Sequence, residues 1–171
     1  MISKPSKFIF LLNSHNIGRA VLPITIEQAK IKDLGSLYNI ERECFTYEAY
    51  TKEHIAILLK NPNVTGLLAK INGEIAGFII GGIENFDKAK VGRIYTIDVA
   101  LKHRRIGVGQ KLLSELEQTF LKKGAKISCL EVRADNKAAR ELYHKQGYTE
   151  LKSVKDYYAK GIHGIRLMKK L

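Results

Sequence analysis

The chain has 171 residues, enough for one domain with a full core. Hydrophobic residues make up 45% and charged residues 27%, which excludes a disordered polyelectrolyte, and no segment approaches the ~20 apolar residues of a membrane span. The formal net charge of +12 points to an acidic ligand or partner, or else to a solvated Lys-rich surface; no basic run with interleaved aromatics marks a sequence-specific nucleic-acid module. The chain opens MISKPSKFIFLLNSHN, whose apolar run Phe8–Leu12 is shorter than the about 7–15 residues of a secretory h-region. Residues 1–20 read as an N-terminal extension and 21–171 as a single domain. Cys44 and Cys129 lie far apart and form no disulfide or metal pattern, so a reduced, cytoplasmic setting is expected.

Val21–Ile26 reads as a strand. Asp33 is placed to cap a helix running to about Glu43, with Leu34, Leu37, Tyr38 and Cys44 near one face. Phe45–Tyr50 is an aromatic-rich loop. Thr51, Glu53 and the run His54–Lys60 predict a second helix, ended by Asn61-Pro62. Val64–Ile71 and Glu74–Ile83 read as strands joined by Asn72-Gly73, a strong hairpin signal, and Val91–Val99 as their antiparallel neighbour. A helix from Gly107 to about Lys123 carries Val108, Leu112, Leu116 and Phe120 on one stripe, and Gly124 ends it. Ile127–Arg133 is a strand, Asn136–Gln146 a helix, and Tyr148–Val154 and Ile162–Met168 are two closing strands. The unit Val91–Arg133 should be parallel and right-handed. The expected architecture is α/β, a mixed central sheet with helices on both faces.

The segment TIDVALKHRRIGVGQKLL carries the chemistry. A strand ends at Val99, a basic turn follows, and glycines open a helix. Gly107 and Gly109 admit close backbone approach, the free N–H groups of the first helical turn face the ligand, and the helix dipole favours negative charge there. Arg104 and Arg105 add positive charge at the rim. A P-loop would need GxxxxGK[ST], which is absent, and a dinucleotide fingerprint would need glycine where Leu112 stands. What remains is Arg104-x-x-Gly107-x-Gly109, either a diphosphate cradle or a glycine-rich helix start with no ligand. His103 sits in the same basic turn, within reach of a phosphate. No histidine pair has metal-ligand spacing, so no metal is expected.

That loop resembles the coenzyme A loop of the GNAT acetyltransferase superfamily, and LEVRADNKAARELYHKQGY is similar to the closing motif of its N-terminal protein acetyltransferases. Those include the bacterial ribosomal-protein alanine N-acetyltransferases and the archaeal protein N-acetyltransferases. The two motifs and the strands between them cover Val91–Tyr148. The likeness weakens across Pro23–Asn63 and is absent before about Ala20. It implies the GNAT fold and acetyl-CoA as cofactor. It also implies that Ile97, Asp98, Val99, Arg104, Arg105, Ile106, Gly107, Val108, Gly109, Gln110, Asn136 and Tyr143 hold that cofactor.

Asn136 and Tyr143 are seven residues apart and so share a helix face. The resemblance puts the Tyr143 phenol beside the thioester sulfur as general acid; alone, the helix allows a Tyr packing at the core edge and an Asn that merely caps. Glu131, flanked by Leu130 and Val132, alternates onto a face with Ile127, Cys129 and Arg133. The resemblance makes it the general base; the plainer reading is a surface pair with Arg133. An α-amine, with pKa near 7.7–8.0, is neutral roughly one time in ten at pH 7, against about one in 2,500 for lysine, so a relay through one water suffices. The Val99 N–H is the expected donor to the acetyl oxygen.

The resemblance implies an acceptor peptide held between Phe45, Thr46, Tyr47 and Tyr50 on one side and Tyr157 and Tyr158 on the other. Thr46 stands where proline is frequent in the family. The expected function is acetylation of a protein or nascent-chain N-terminus, and the basic surface suits docking near ribosomal RNA. A small amine or a lysine side chain is the alternative acceptor. A non-catalytic basic binding module is the other class, but such a module would be expected to lose Glu131 and Tyr143.

Overall fold

The computed structural model describes residues 23–45, 49–86 and 89–171. Strand β1 (Thr25–Gln28) and a 3-10 turn (Ile31–Asp33) lead into α1 (Leu34–Cys44) and α2 (Lys52–Lys60). Strands β2 (Val64–Ile71), β3 (Glu74–Phe86) and β4 (Ala89–Val99) follow, then a second 3-10 turn (Leu101–His103). The chain closes with α3 (Val108–Lys122), β5 (Ile127–Arg133), α4 (Lys137–Lys145), β6 (Thr149–Ala159) and β7 (Ile162–Lys170). The strands form one sheet in the order β1-β2-β3-β4-β5-β7-β6, and every neighbouring pair is antiparallel except β4–β5. This is the mixed α/β sheet the sequence predicts. The expected N-terminal extension lies outside the described residues.

Local chemistry accounts for most boundaries. Asn72 and Gly73 both take positive φ, 52° and 82°, the conformation a two-residue hairpin turn demands. Thr51 caps α2, its Oγ1 accepting the His54 N–H at 3.2 Å. At the start of α1 the expected Asp33 cap is not made. Asp33 instead accepts the Lys30 N–H at 2.9 Å, because the 3-10 turn occupies the residues before the helix. The first strand also lies later than predicted, at Thr25–Gln28, since its partner Leu67–Lys70 on β2 sets its register. β6 runs past its predicted end and includes Tyr157 and Tyr158.

Helix α3 buries the predicted stripe of Val108, Leu112, Leu116 and Phe120 against the sheet. Each such side chain contributes about 1.5–3 kcal/mol on burial. The fit is close: a Cβ on Gly92 of β4 would lie 2.1 Å from the Phe120 ring. Tyr143 of α4 joins this core, and α1 and α2 pack on the opposite face through Leu37, Ile40 and Ile55.

The feature that builds the site is a split in the sheet. β4 and β5 pair only from Val91 to Arg93 and from Ile127 to Cys129. The register of β3 with β4 skips one residue, since Ile80 opposes Thr96 and Gly81 opposes Ile94. Tyr95 is therefore the extra residue of a β-bulge, which bends and twists its strand. Before it, Ile94 joins the α3 core. Tyr95 faces the α1–α2 core, and beyond it Ile97 and Val99 return to the α3 side.

Candidate functional site

A cavity of about 430 Å³ lies at the split, lined by the end of β4, the turn into α3 and one face of α4. Its walls include Ile97, Asp98, Val99, Arg104, Arg105, Gly107, Val108, Gly109, Gln110, Asn136 and Tyr143. Of the residues predicted to hold the coenzyme, Ile106 stands apart. It is 46% exposed and outside the lining, since the turn that brings Gly107 inward sends its side chain to solvent.

Backbone groups dominate the cradle. Arg105 and Gly107 both take positive φ, 65° and 91°. Lys111 N–H is the first in α3 to find an intrahelical acceptor, Gly107 O at 3.0 Å, so the preceding amides of the turn and first helical turn face outward. A Cβ on Gly107 would meet no atom within 4 Å, so the space beside that backbone is open. Such N–H groups at a helix N-terminus suit a diphosphate. Arg104 lines the cavity, and its guanidinium is held by the turn. Its Nε donates to Val99 O at 3.0 Å and its Nη2 to Cys44 Sγ at 3.3 Å, bracing the turn. His103 turns toward Glu74, with Nε2 at 3.5 Å from Oε2, while its ring also lines the cavity.

The open edge of β4 supplies a second set of groups. Antiparallel partners alternate between residues that bond each other and residues whose groups point away. Ala100 N–H donates to Ala76 O of β3 at 3.0 Å, so Ile97 and Val99 direct their N–H groups to the side that β5 has left. These edge amides can pair with an extended chain that itself carries amides.

On α4, Asn136 spends its side-chain oxygen on the helix cap, accepting Ala139 N–H at 3.1 Å, which leaves its amide protons for a ligand. Tyr143 is buried, packs edge-to-face on Tyr148 at 5.8 Å, and lines the cavity. Burial, then the Asp98 carboxyl, raises its pKa, so the phenol keeps its proton throughout the neutral range.

Glu131 lies on the α1–α2 side of the split and outside the cavity lining. The alternative surface pair with Arg133 is not formed; Glu131 has two other partners. Glu131 accepts Arg93 Nη2 at 2.9 Å and Arg166 Nε at 2.6 Å, with its side chain only 5% exposed. Arg133 pairs instead with Asp135. Arg93 also donates to the Tyr157 hydroxyl at 3.3 Å, and Tyr157 packs edge-to-face on Tyr158 at 4.9 Å. Tyr50 stacks on His54 at 4.5 Å and lies within electrostatic reach of Tyr157 and Arg93. Arg93 thus links Tyr157 to Glu131, and Phe45 lines the cavity itself. Thr46 and Tyr47 lie outside the described residues.

Sequence reasoning missed a buried acid group beneath these residues. Glu41 and Asp98 are 1% and 2% exposed, and Thr96 joins them. Burial, then the neighbouring Glu41, pushes the Asp98 carboxyl well above the usual carboxylate range, and burial raises Glu41 as well. Cys44 is beside them, its thiol pushed up to about 11 by burial and by Asp98, so it is no nucleophile near neutral pH. The available signal was Glu41 itself, a charged residue one turn beyond Leu37 on the apolar face of α1.

Residues 34–148 match the model of the acetyltransferase (GNAT) family. The chain belongs to that family. It is 31% identical over 146 residues to an uncharacterized N-acetyltransferase of Methanocaldococcus jannaschii, covering 85% of this chain and 90% of the relative. It is 30% identical over 145 residues to an N-alpha-acetyltransferase of Sulfurisphaera tokodaii, covering 80% and 86%. Among solved structures, Ard1 from Thermoplasma volcanium superposes with a TM-score of 0.78 at 26% identity, covering 86% of this chain and 97% of that one. The ribosomal-protein-S18-alanine N-acetyltransferase from Escherichia coli gives 0.76 at 26%, covering 86% and 94%. This GNAT protein is an acetyl-CoA-dependent acyltransferase. The cradle amides and the open β4 edge fit the diphosphate and the pantetheine amides of that cofactor. When bound, it supplies the acetyl group as a thioester. Among the described residues no helix is long and apolar enough to cross a membrane.

Proposed function

We propose that this acetyltransferase acts on the N-terminal α-amine of a protein or nascent chain. The observation that carries the reading is the Arg93 bridge from Glu131 to the Tyr157 hydroxyl, with Tyr158 packed on Tyr157, on the face of the split opposite the α3–α4 core, where Tyr50 packs on the α1–α2 core. Aromatic walls of this kind suit an extended peptide whose hydroxyl-bonded backbone ends in a free amine. Relatives named as N-alpha-acetyltransferases, at 30% identity, support the same acceptor.

Each residue then has a task. The outward amides of Arg105–Gln110 and the Asn136 amide bind and orient the cofactor. Val99 N–H donates to the acetyl oxygen as negative charge grows there. Glu131 takes the proton of the amine through one water, and the Arg93 and Arg166 guanidiniums hold its carboxylate in place. Tyr143 gives its proton to the departing sulfur. Such a substrate is met in the cytoplasm, and the charge of +12 suits work beside ribosomal RNA. The test is acetyl transfer to peptides that differ in their first residue, with N-terminally blocked lysine peptides and polyamines as controls. Transfer confined to polyamines would assign the site to a small amine instead.

A further inference from the structure

The Glu41–Asp98 pair has no part in the chemistry described above, yet it lies at the junction of the two halves of the site. Glu41 comes from α1 and Asp98 from β4, between Ile97 and Val99. One hydroxyl, Thr96 Oγ1, lies within hydrogen-bond distance of both carboxyls. Among the described residues neither is ion-paired, and Asp98 Oδ1 is buried with no partner.

The hydrogen-bond inventory is short of protons. Thr96 Oγ1 lies 2.8 Å from Asp98 Oδ2 and 3.3 Å from Glu41 Oε2. A hydroxyl carries one proton and can donate to only one of them. The other contact needs a proton from a carboxyl group. Two carboxylates this close, away from water, cannot both ionise at neutral pH. Hydrogen bonds from Tyr50, Thr96 and Cys44 lower the pKa of the two carboxyls, but burial outweighs them. Cys44 of α1 is a neutral thiol, Tyr143 of α4 a neutral phenol, and Tyr50 a phenol in the loop. Arg104 spends its guanidinium on Val99 O and Cys44 Sγ. His54 of α2 acts on Glu41 only at long range and stacks on Tyr50.

The pair's outer contacts reach both substrates. Glu41 Oε1 accepts the Tyr50 N–H at 2.9 Å and so anchors the loop that walls the acceptor side. Asp98 sits on the strand whose Val99 N–H faces the open edge, and Cys44 donates to Val99 O at 3.4 Å. We propose that Glu41 and Asp98 share one proton and act as a positioning pair, clasping the acceptor loop to the end of β4 through the Tyr50 amide. The kinetic part rests on the acceptor reading given above. Loss of the shared proton at alkaline pH leaves two buried like charges, which part the clasp and free Tyr50.

The experiment uses the full chain with 13C in its carboxyl groups and 15N in its amides, titrated by NMR. One carboxyl of the pair is expected to stay protonated through neutral pH, with the Tyr50 amide resonance following its ionisation. In Asp98→Asn the amide replaces the proton, and Tyr50 should stay pinned at every pH; Glu41→Gln serves the same purpose if the first variant folds poorly. Peptide kinetics then compare wild type with Asp98→Asn, whose ratio cancels the titration of the acceptor amine. The wild-type acceptor KM should rise about tenfold relative to the variant as pH becomes alkaline, the size of one lost hydrogen bond. Two ordinary, independent carboxyl titrations, or a Tyr50 amide blind to them, would overturn the shared proton. A constant KM ratio would overturn the positioning role. A wild type inactive on every peptide would refute the acceptor reading instead, and the NMR titration would still judge the clasp.

Discussion

Replacing Gly107 with alanine adds one methyl group at a backbone position with φ of 91°. Left-handed backbone costs an L-residue about 1–2 kcal/mol. No atom lies within 4 Å of the new Cβ, so no clash adds to that cost. Gly73, in the hairpin turn and outside the cavity lining, has φ of 82° and equally open space, so Gly73→Ala carries the same strain. Both variants should therefore lose about 1–2 kcal/mol of stability, roughly 2–4 °C in melting temperature per kcal/mol for a chain of this size. Only Gly107→Ala puts the methyl where the outward amides must meet a diphosphate. Losing one hydrogen bond to a charged group costs about 1.5–3 kcal/mol, a roughly 10- to 150-fold weaker Kd. Calorimetric titration with coenzyme A reads the affinity and thermal unfolding reads the strain. Equal coenzyme affinity in the two variants would refute the cradle.

Three further outcomes are expected. Tyr143→Phe should lower kcat by about 10²–10⁴-fold, the range of general acid catalysis, and coenzyme affinity by much less; an unchanged kcat removes Tyr143 from the chemistry. Glu131→Gln keeps an acceptor oxygen for only one of Arg93 and Arg166 and removes the proton acceptor, so kcat should fall about 10²-fold or more in single-turnover assays, with thermal unfolding reading the cost of the lost contact, and full activity would move the base elsewhere. Asp98 is protonated more readily in the folded chain than in the unfolded one, so its contribution to stability is complete below the ordinary carboxylate pKa of about 4. That contribution is lost progressively as pH rises toward the folded pKa. Asp98→Asn should flatten this decline in denaturant titrations across the neutral range, and a parallel decline in both proteins would show that the carboxyl does not titrate there.

Much of the fold was legible because its signals are local. Asn72-Gly73 dictates a turn through positive φ at two adjacent residues, and the spacing of Val108, Leu112, Leu116 and Phe120 can only describe one helix face. The glycine-opened start of α3 was legible for the same reason, since Gly107 and the amides it exposes are neighbours in the chain. The rest depends on partners remote in sequence. Alternation along β5 put Glu131 on the correct face, but Arg93 and Arg166 are 38 and 35 residues away, and no pattern announces that they meet there. The bulge at Tyr95 arises from the register of β4 on β3, and the sequence of β4 alone does not mark it. It turns Tyr95 and Thr96 to the α1–α2 side while Ile97 and Val99 keep to the other. The Glu41–Asp98 pair joins residues 57 apart by the difference of their numbers, and the hydrogen bond of Glu41 to Thr96 across 55 residues records the same closure.

The central claim is acetyl transfer from acetyl-CoA to a protein N-terminus. It is tested most directly by mass spectrometry of a peptide panel incubated with the chain and acetyl-CoA. Each peptide carries one internal lysine and a different first residue. A single acetyl group is expected on the α-amine, dependent on the first residue, and none on N-terminally blocked peptides. Acetylation of lysine in the blocked peptides, or of polyamines alone, would contradict it.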